Sequence, residues 1–170
     1  MQKRIITSHL VLDVITDTDK AALIEIFQND TVKATYILPD LEDDDKAAAL
    51  FGRIKALSEQ DDRYVRGIYL EGKLIGLIND TDIDGKTVEI GYALHPAFHS
   101  KGYMTEAVGA MISALFECGF EQVTAAAFEE NAASFRVMQK CGMKRIDKAE
   151  TLEYRKKTHR CIYYSIKSDF

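Results

Sequence analysis

The stretch from Val88 to Glu106 reads VEIGYALHPAFHSKGYMTE, and the rest of the chain is organised around it. Its apolar first half predicts a strand that ends before Pro96, because proline cannot donate a hydrogen bond to a sheet ladder. The polar turn that follows contains Gly102 and leads into an amphipathic helix. Glycine lets the backbone approach a ligand closely, and the free N–H groups at the start of a helix attract anions. The stretch therefore predicts a phosphate-binding turn between a strand and a helix.

A second stretch, residues 131–143, reads NAASFRVMQKCGM and predicts a short helix that begins after Asn131 and ends at Gly142. Together the two stretches resemble the acetyl-coenzyme A site of the GNAT superfamily of N-acetyltransferases, in particular of its RimJ/RimL type, whose namesakes acetylate ribosomal-protein N-termini. In that family the turn reads roughly Gln/Arg-x-x-Gly-x-Gly/Ala followed by Thr-Glu-Ala. The second motif reads Asn-x-x-Ser-x-x-x-x-x-Lys-x-Gly. The resemblance is strong over residues 88–143 and extends over nearly the whole chain.

The resemblance implies the GNAT (acyl-CoA N-acyltransferase) fold, an α/β fold in which a mixed, mostly antiparallel central sheet is flanked by helices. Two apolar runs joined by Glu71-Gly72 predict a hairpin, and the strand from Thr87 to Leu94 extends it to three antiparallel strands. A helix connects this strand to the next, Gln122 to Phe128, which predicts a parallel pair. At this length, we expect residues 1–170 to form a single GNAT N-acetyltransferase domain.

Three other segments are interpreted from their local pattern alone. Loose apolar alternation from Ile5 to Val14 predicts one continuous first strand. The segment from Thr31 to Asp40 contains a turn-like proline and predicts irregular structure. The polar run from Thr81 to Lys86 predicts a turn between two strands.

The charge of the chain is unevenly distributed. The formal net charge is −5, with 10 Lys/Arg against 17 Asp/Glu in residues 1–85 and 12 against 10 in residues 86–170. Coenzyme A carries several negative phosphate charges and should prefer the second half, whereas a cationic amine acceptor should prefer the first. An acidic surface that only aids solubility is the alternative. No basic stripe alternates with aromatic residues, so nucleic-acid binding is not expected.

Other classes of protein are excluded by simple counts. No apolar run approaches membrane-spanning length and the N-terminal residues lack a signal-peptide core, so we expect a cytoplasmic protein without membrane contact. Cys118, Cys141 and Cys161 are odd in number and form no Cys-x-x-Cys pair, which predicts structural thiols. The chain shows no clustered Cys and His residues, and no metal site is expected.

The resemblance assigns acetyl-CoA as the co-substrate and makes the turn its phosphate site. The backbone N–H groups expected to hold the pyrophosphate lie at Ser100, Lys101, Gly102, Tyr103, Met104 and Thr105. The Lys101 side chain adds positive charge nearby. Two positions depart from the family pattern. His99 stands where Gln or Arg is usual and can still donate to a phosphate, and Met104 stands at a usually small position but keeps its backbone N–H.

The thioester is expected to lie along Tyr92-Ala93-Leu94. The amides of the pantetheine arm can pair with exposed strand N–H and C=O groups, as an added strand would. By resemblance, a backbone N–H near Leu94 faces the thioester oxygen. Gly91 lies inside the strand and marks a bulge or a close backbone approach. In the family a bulge separates this strand from the next and opens a cleft for the pantetheine arm.

Glu89 is the candidate general base, acting directly or through water. On simple alternation it shares a face with Gly91 and Ala93, whose small side chains leave room for a ligand. A structural or solvent-facing glutamate is the alternative reading. If a bulge interrupts the strand, the alternation argument reverses.

The helix after Asn131 supplies the remaining candidates. In the family this Asn contacts the pantetheine arm, and many relatives place a Tyr general acid seven residues later, where this chain has Met138. Ser134 is therefore the candidate donor to the departing sulfur, with a purely structural role at the helix start as the alternative. Arg136 and Lys140 are candidate contacts to the coenzyme's phosphates, or ordinary surface charges.

These residues indicate an N-acetyltransferase that moves an acetyl group from acetyl-CoA to a primary amine by direct attack. No cysteine lies in a recognisable nucleophile setting, which disfavours a covalent enzyme intermediate. A catalytically silent acyl-CoA-binding module is the alternative, and an interaction domain without a ligand is a third. The acceptor is left open between a protein N-terminus, a polyamine, an aminoglycoside and a small amino compound. A homodimer is left open as well.

Overall fold

A computed structural model describes residues 4–41 and 43–169. The extreme ends of the predicted 1–170 domain lie outside the described residues. The helices are α1 (Lys20–Gln28), α2 (Asp30–Thr35), α3 (Asp44–Ser58), α4 (Tyr103–Glu117) and α5 (Ala132–Lys140). The strands are β1 (Ile5–Ile6), β2 (Leu10–Asp13), β3 (Arg66–Leu70), β4 (Lys73–Asp84), β5 (Thr87–Leu94), β6 (Gln122–Phe128), β7 (Lys144–Tyr154) and β8 (Lys157–Lys167). Among the described helices, none is long and apolar enough to cross a bilayer.

The strands form one sheet in the order β1-β2-β3-β4-β5-β6-β8-β7. Strands β3, β4 and β5 pair antiparallel, as their hairpin signals predict. Strands β5 and β6 pair parallel, because α4 carries the chain back to the same end of the sheet before β6 begins. All other pairs among the described strands are antiparallel. The expected mixed, mostly antiparallel sheet flanked by helices is confirmed.

The prediction of one strand from Ile5 to Val14 is wrong. Strands β1 and β2 are two short strands that pair antiparallel, with Ile6 opposite Val11. The turn between them is closed by the Thr7 N–H, which donates to the Leu10 carbonyl oxygen at 2.9 Å, and by the Leu10 N–H, which donates to Thr7 Oγ1 at 3.0 Å. A turn that contains a capping threonine gives the same alternating pattern as a continuous strand. Periodicity alone therefore could not distinguish one strand from two strands joined by a turn.

Two other local interpretations are also wrong. The segment from Thr31 to Asp40 is not irregular throughout, because α2 occupies its first half. Asn29 ends α1 and also begins α2, since its Oδ1 accepts a hydrogen bond from the Thr31 N–H at 3.0 Å. The run from Thr81 to Lys86 is not all turn, because β4 continues through Asp84. The side chains of residues 81–84 are exposed, so a strand that has left the core resembles a loop in composition.

The sheet has a core on each face. The main core packs α4 and α5 against one face and includes Ile78, Val88 and Ile90. The second core packs α1 and α3 against the other face around Leu77 and Ala93. Because β5 alternates between the two cores, Glu89, Gly91 and Ala93 belong to the same face of the sheet as α1.

The start of α4 is tied to the N-terminal hairpin by Glu106. Its carboxylate accepts hydrogen bonds from the Thr7 hydroxyl at 2.6 Å, the His9 backbone N–H at 2.8 Å and His9 Nδ1 at 2.9 Å. Burial opposes ionisation, but these hydrogen bonds outweigh it and lower the pKa of Glu106 below its ordinary value. This contact fixes the position of the helix that follows the turn at Gly102.

Replacing Glu106 by Gln is expected to destabilise the fold by about 1–3 kcal/mol, because charge-assisted hydrogen bonds become neutral or are lost. Thermal unfolding at neutral pH measures this. A carboxyl group whose pKa is lowered on folding stabilises the folded state at pH values above its unfolded-state pKa of about 4.3. That stabilisation is lost as the pH falls through the folded-state pKa. The gap in melting temperature between wild type and Glu106→Gln should therefore narrow in acid. A gap that stays constant with pH would mean that the charge contributes nothing.

Candidate active site

A cavity of about 550 Å³ opens where β5 and β6 separate. The two strands pair only from Thr87 to Glu89 and from Gln122 to Thr124. Beyond these residues β6 continues in register with β8 as far as Phe128, while β5 continues beside β4 as far as Leu94. The edge of β5 that faces β6 is thus without a strand partner over its second half, which is the geometry that an added extended ligand requires.

The irregularity beside this opening lies on β4, not on β5. The β4–β5 register shifts between Asp80 and Asp82, so Thr81 is the bulged residue. Gly91 marks a close approach, because a Cβ there would lie 3.1 Å from Thr81 Cγ2 and 3.6 Å from the Tyr36 ring. Since no bulge interrupts β5, the alternation that places Glu89 on the face of Gly91 holds.

The turn before α4 has the backbone geometry of a ligand-binding loop. Gly102 has φ 84° and caps the helix without a side-chain hydrogen bond. Ser100 also has a positive φ of 60°, which is uncommon for a residue other than glycine and occurs often at binding sites. The Met104 side chain is only 8 % exposed and packs into the main core. Its bulk is therefore accommodated behind the turn, and its backbone N–H stays at the head of the helix.

The cavity reaches nearly all the residues that the sequence motifs single out. Its lining includes Glu89, Ala93, Leu94, His99, Ser100, Gly102, Tyr103, Met104, Thr105, Asn131, Ser134, Arg136 and Lys140. Lys101 does not line it, and its ammonium lies 5.5 Å from the centre of the Phe98 ring. His99 lines the cavity, but its Nε2 lies 2.9 Å from the Leu94 carbonyl oxygen and donates to it. A neutral His99 therefore has no N–H left for a phosphate.

Helix α5 places Ser134 at the cavity wall. Asn131 caps the helix, its Oδ1 accepting from the Ser134 N–H at 3.1 Å. The Ser134 Oγ lies 2.7 Å from the Tyr92 hydroxyl oxygen. Met138 is fully buried in the main core, so the position that carries a tyrosine in many GNAT relatives here faces away from the cavity. Arg136 and Lys140 are exposed on the cavity side of the same helix.

Glu89 is half-buried in the cavity wall. Burial raises the pKa of this carboxyl above its ordinary value. The Thr81 hydroxyl, which donates to Glu89 Oε1 at 3.1 Å, and the charge of Lys148 oppose the rise. A carboxylate with a raised pKa is a stronger base than an exposed one.

The end of the cavity away from the α4 turn, called the distal end here, is lined by Tyr36, Phe128, Leu152, Cys161 and Tyr163. One wall is α2 with the residues that follow it, and the other is the β7–β8 hairpin. Tyr36 donates its hydroxyl hydrogen to Asn79 Oδ1 at 2.6 Å, and Tyr163 donates to Glu150 Oε2 at 2.9 Å. The wall hydroxyls are thus engaged, and the ring faces remain for a ligand.

Residues 9–144 match the family described as the acetyltransferase (GNAT) domain. The chain belongs to this family. The expectation drawn from the two motifs is confirmed.

The GNAT chain is similar over most of its length to several known proteins. It is 32 % identical over 145 residues to the uncharacterized N-acetyltransferase YoaA of Bacillus subtilis (strain 168). This alignment covers 82 % of this chain and 81 % of YoaA. Its structure resembles that of RimL, the ribosomal L7/L12 alpha-N-protein acetyltransferase, in complex with coenzyme A, with a TM-score of 0.87 at 16 % identity over 98 % of this chain and 99 % of RimL.

A third similar protein is the microcin C7 self-immunity acetyltransferase MccE in complex with acetyl-CoA and AMP. The TM-score is 0.83 at 16 % identity, over 95 % of this chain and 94 % of MccE. At these identities the two solved structures show the GNAT fold, which agrees with the observed sheet.

Two tyrosine side chains of this GNAT protein were given no role in the sequence analysis, although Tyr92 belongs to the segment expected to carry the thioester. Tyr92 lies on the face of β5 opposite Glu89 and meets Ser134, and burial raises the pKa of its phenol against the effect of that hydrogen bond. Tyr154 lies near the β7–β8 turn and contacts the segment after α2. The parity of β5 could have placed Tyr92 toward α5, whereas no local signal indicates the partners of Tyr154.

The described part of this GNAT chain contains no group of three or more His, Cys, Asp or Glu residues placed to hold a metal ion.

Proposed function

We propose that this GNAT protein is an N-acetyltransferase that moves the acetyl group of acetyl-CoA to a primary amine by direct attack. The observation that carries the proposal is that one continuous cavity joins the open turn at Gly102, the unpaired edge of β5 and the Glu89 carboxylate. YoaA, the relative that is similar over most of the chain, bears the name of an N-acetyltransferase.

The residues at the α4 end fit a coenzyme. Free N–H groups at the head of a 15-residue helix favour a pyrophosphate, and Arg136 and Lys140 bring positive charge to the same side of the cavity. The second half of β5 offers backbone groups to the amides of a pantetheine arm. When bound, acetyl-CoA supplies the activated acyl group, and this chain has to orient it and accept its charge.

Direct attack fits the state of the thiols next to the cavity. Burial raises the pKa of the Cys141 thiol to about 11 and also raises that of Cys161. Neither is a thiolate at neutral pH, and only the thiolate is a strong nucleophile. An acetyl-cysteine intermediate on either residue is therefore disfavoured.

Glu89 would take the proton of the amine through a water molecule. Strand residues rise about 3.3 Å each, so Glu89 lies roughly 10 Å along β5 from Tyr92, where the thioester is expected. A glutamate side chain does not cover that distance alone. Its raised pKa suits the task, because a base works best when its pKa approaches the pH of the reaction.

Ser134 would donate to the sulfur that leaves, with Tyr92 fixing the direction of its hydroxyl. The Tyr92 hydroxyl lies 2.7 Å from Ser134 Oγ and 3.3 Å from the Ser134 carbonyl oxygen. We assign its one hydrogen to the shorter contact, so that Tyr92 donates to Ser134 Oγ. With its Oγ accepting from Tyr92, Ser134 keeps its own hydrogen for the cavity.

The decisive experiment measures thiol release from acetyl-CoA with a panel of amines and N-terminal peptides, and identifies the acetylated product by mass. Turnover with at least one amine supports the proposal. Binding of acetyl-CoA without release of thiol for any amine would instead support a silent acyl-CoA-binding module, the alternative favoured by the buried Met138.

Thr81 offers a test of Glu89 by pH. The Thr81 hydroxyl stabilises the ionised carboxylate, so Thr81→Val should raise the pKa of Glu89 further. Activity requires the ionised form, and the acid limb of kcat/KM should therefore move to higher pH. Thr87→Val, on the same strand pair, is the matched control and should leave the limb in place. An unmoved limb in Thr81→Val would mean that Glu89 is not the titrating base.

A further inference from the structure

We propose that the acceptor is a small amine with a single positive charge and an uncharged aromatic or aliphatic body, held under a bridge formed by Tyr154 at the distal end of the cavity. The inference rests on the proposed function and narrows its substrate class. Three features carry it: the charges of the cavity wall, the character of the distal end, and the closure of that end.

The cavity offers one site for a cation. Glu89 is the one carboxylate among the described residues of its lining, and no ion pair to Glu89 forms in the described part of the chain. Its cationic lining residues, Arg136 and Lys140, belong to α5 at the opposite end. An ammonium group in the distal half would therefore be drawn to Glu89.

Two carboxylates just outside the wall are already paired. Glu150 Oε1 lies 3.3 Å from Lys148 Nζ, and the same ammonium lies 4.0 Å from the centre of the Tyr163 ring. Glu130 Oε1 lies 2.7 Å from His159 Nδ1. Asp82, opposite Glu89 on β4, forms no ion pair with the described residues, but it is exposed to solvent and lies outside the lining. A second ammonium, as in a polyamine or an aminoglycoside, would therefore gain little from it. A carboxylate on the acceptor, as in an amino acid, would find Lys148 committed.

The rest of the distal end is mainly apolar and aromatic, with the α2 threonines Thr31 and Thr35 as its polar members. The Tyr36, Phe128 and Tyr163 rings line it together with Leu152, and the hydroxyls of both tyrosines are engaged in hydrogen bonds to other side chains. One face of the Tyr163 ring is covered by Lys148 and one face of the Phe128 ring by His159, so the uncovered ring faces and methyl groups are what remain for a ligand. Such a wall favours a flat or apolar body and gives little to a polar one.

Tyr154 joins the two walls of the distal end. Its hydroxyl donates to the Lys33 carbonyl oxygen at 2.8 Å, and accepts from the Leu38 N–H at 3.3 Å and from Arg155 Nε at 2.9 Å. Its ring packs against Phe128, with centroids 5.9 Å apart. The Arg155 guanidinium also lies 3.5 Å from Asp40 Oδ1, across the same gap. These contacts join α2 and the residues after it to the β7–β8 hairpin, and they oppose a widening of the distal end for a long acceptor.

The first test compares thiol release for 2-phenylethylamine, phenylalanine, spermidine and a short peptide with a free N-terminus. We expect kcat/KM for 2-phenylethylamine to exceed each of the others by tenfold or more, the size of effect that an unpaired buried charge or a missing contact produces. A preference for spermidine, phenylalanine or the peptide would overturn the inference and leave the proposed function standing. Thiol release with none of the amines would overturn the proposed function itself.

The second test uses Tyr154→Phe, which removes the bridging hydroxyl and keeps the ring against Phe128. The ratio of kcat/KM for the peptide to that for 2-phenylethylamine should rise by about tenfold, because the walls can then separate. Tyr64→Phe, a tyrosine packed on Phe120 outside the cavity lining, is the matched control. A thermal melt confirms that both variants are folded. An unchanged ratio in folded Tyr154→Phe would refute the bridge as the limit on acceptor size.

Discussion

A Glu89→Gln enzyme is expected to turn over about 10²–10⁴-fold more slowly than wild type while binding acetyl-CoA with unchanged affinity. The magnitude is that of a lost general base. Glutamine keeps the shape of the side chain and can still accept from the Thr81 hydroxyl, so the wall of the cavity should persist. Steady-state kcat with the best acceptor and the coenzyme dissociation constant measure the two quantities separately.

The matched control is Glu117→Gln, which neutralises an exposed glutamate at the end of α4, outside the cavity lining. It should behave as wild type in both measurements. Equal losses of turnover and of coenzyme affinity in Glu89→Gln would show that Glu89 is structural. A turnover of Glu89→Gln that recovers at high pH would indicate that Glu89 is a general base and not a structural residue. A strongly alkaline solution deprotonates the amine without help from the enzyme.

The second large effect is expected at Ser134. Replacing it by Ala removes the donor to the leaving sulfur and should reduce kcat by about 10²-fold, as the loss of one donor to a developing charge typically does. Tyr92→Phe should reduce kcat less, because Ser134 then keeps its hydroxyl but loses the group that orients it. In the double variant the Tyr92 effect should disappear, since a positioning residue has nothing left to position.

Additive losses in the double variant would contradict this arrangement and show that Tyr92 acts independently of Ser134. The KM for acetyl-CoA provides a second readout. It should change little in Tyr92→Phe if the residue serves the leaving group, and should rise with kcat unchanged if Tyr92 only shapes the binding site. Ser113→Ala, on the exposed side of α4, is the control for loss of a serine hydroxyl.

The turn and the helix starts at the α4 end of the cavity could be predicted because their signals are local. Pro96 ends a strand, Gly102 begins a helix with φ 84°, and Asn131 caps the next one, each through contacts within a few residues. Local rules describe the backbone at such positions well, and the family motifs indicate which role each position is expected to have. The face on which Glu89 lies could also be predicted, since it depends only on the parity of a strand without a bulge.

The distal end could not be predicted in the same way, because its contacts join segments far apart in the chain. The hydroxyl of Tyr154 meets Lys33 across 121 positions, and Tyr92 meets Ser134 across 42. The residues around Tyr154 in the sequence do not indicate such distant partners. The exposed half of β4 shows the complementary problem: its polar residues carry no burial pattern, so a real strand resembled a turn.

Glu106 lies within the first motif, yet the groups that hold it in place come from residues 99 and 97 positions earlier. The position of the α4 turn therefore depends on residues outside the stretch 88–143. Contacts of such long range form late and slowly in folding, because the intervening chain must be ordered first. The turn at Gly102 therefore reaches its final position only when the N-terminal hairpin has also folded.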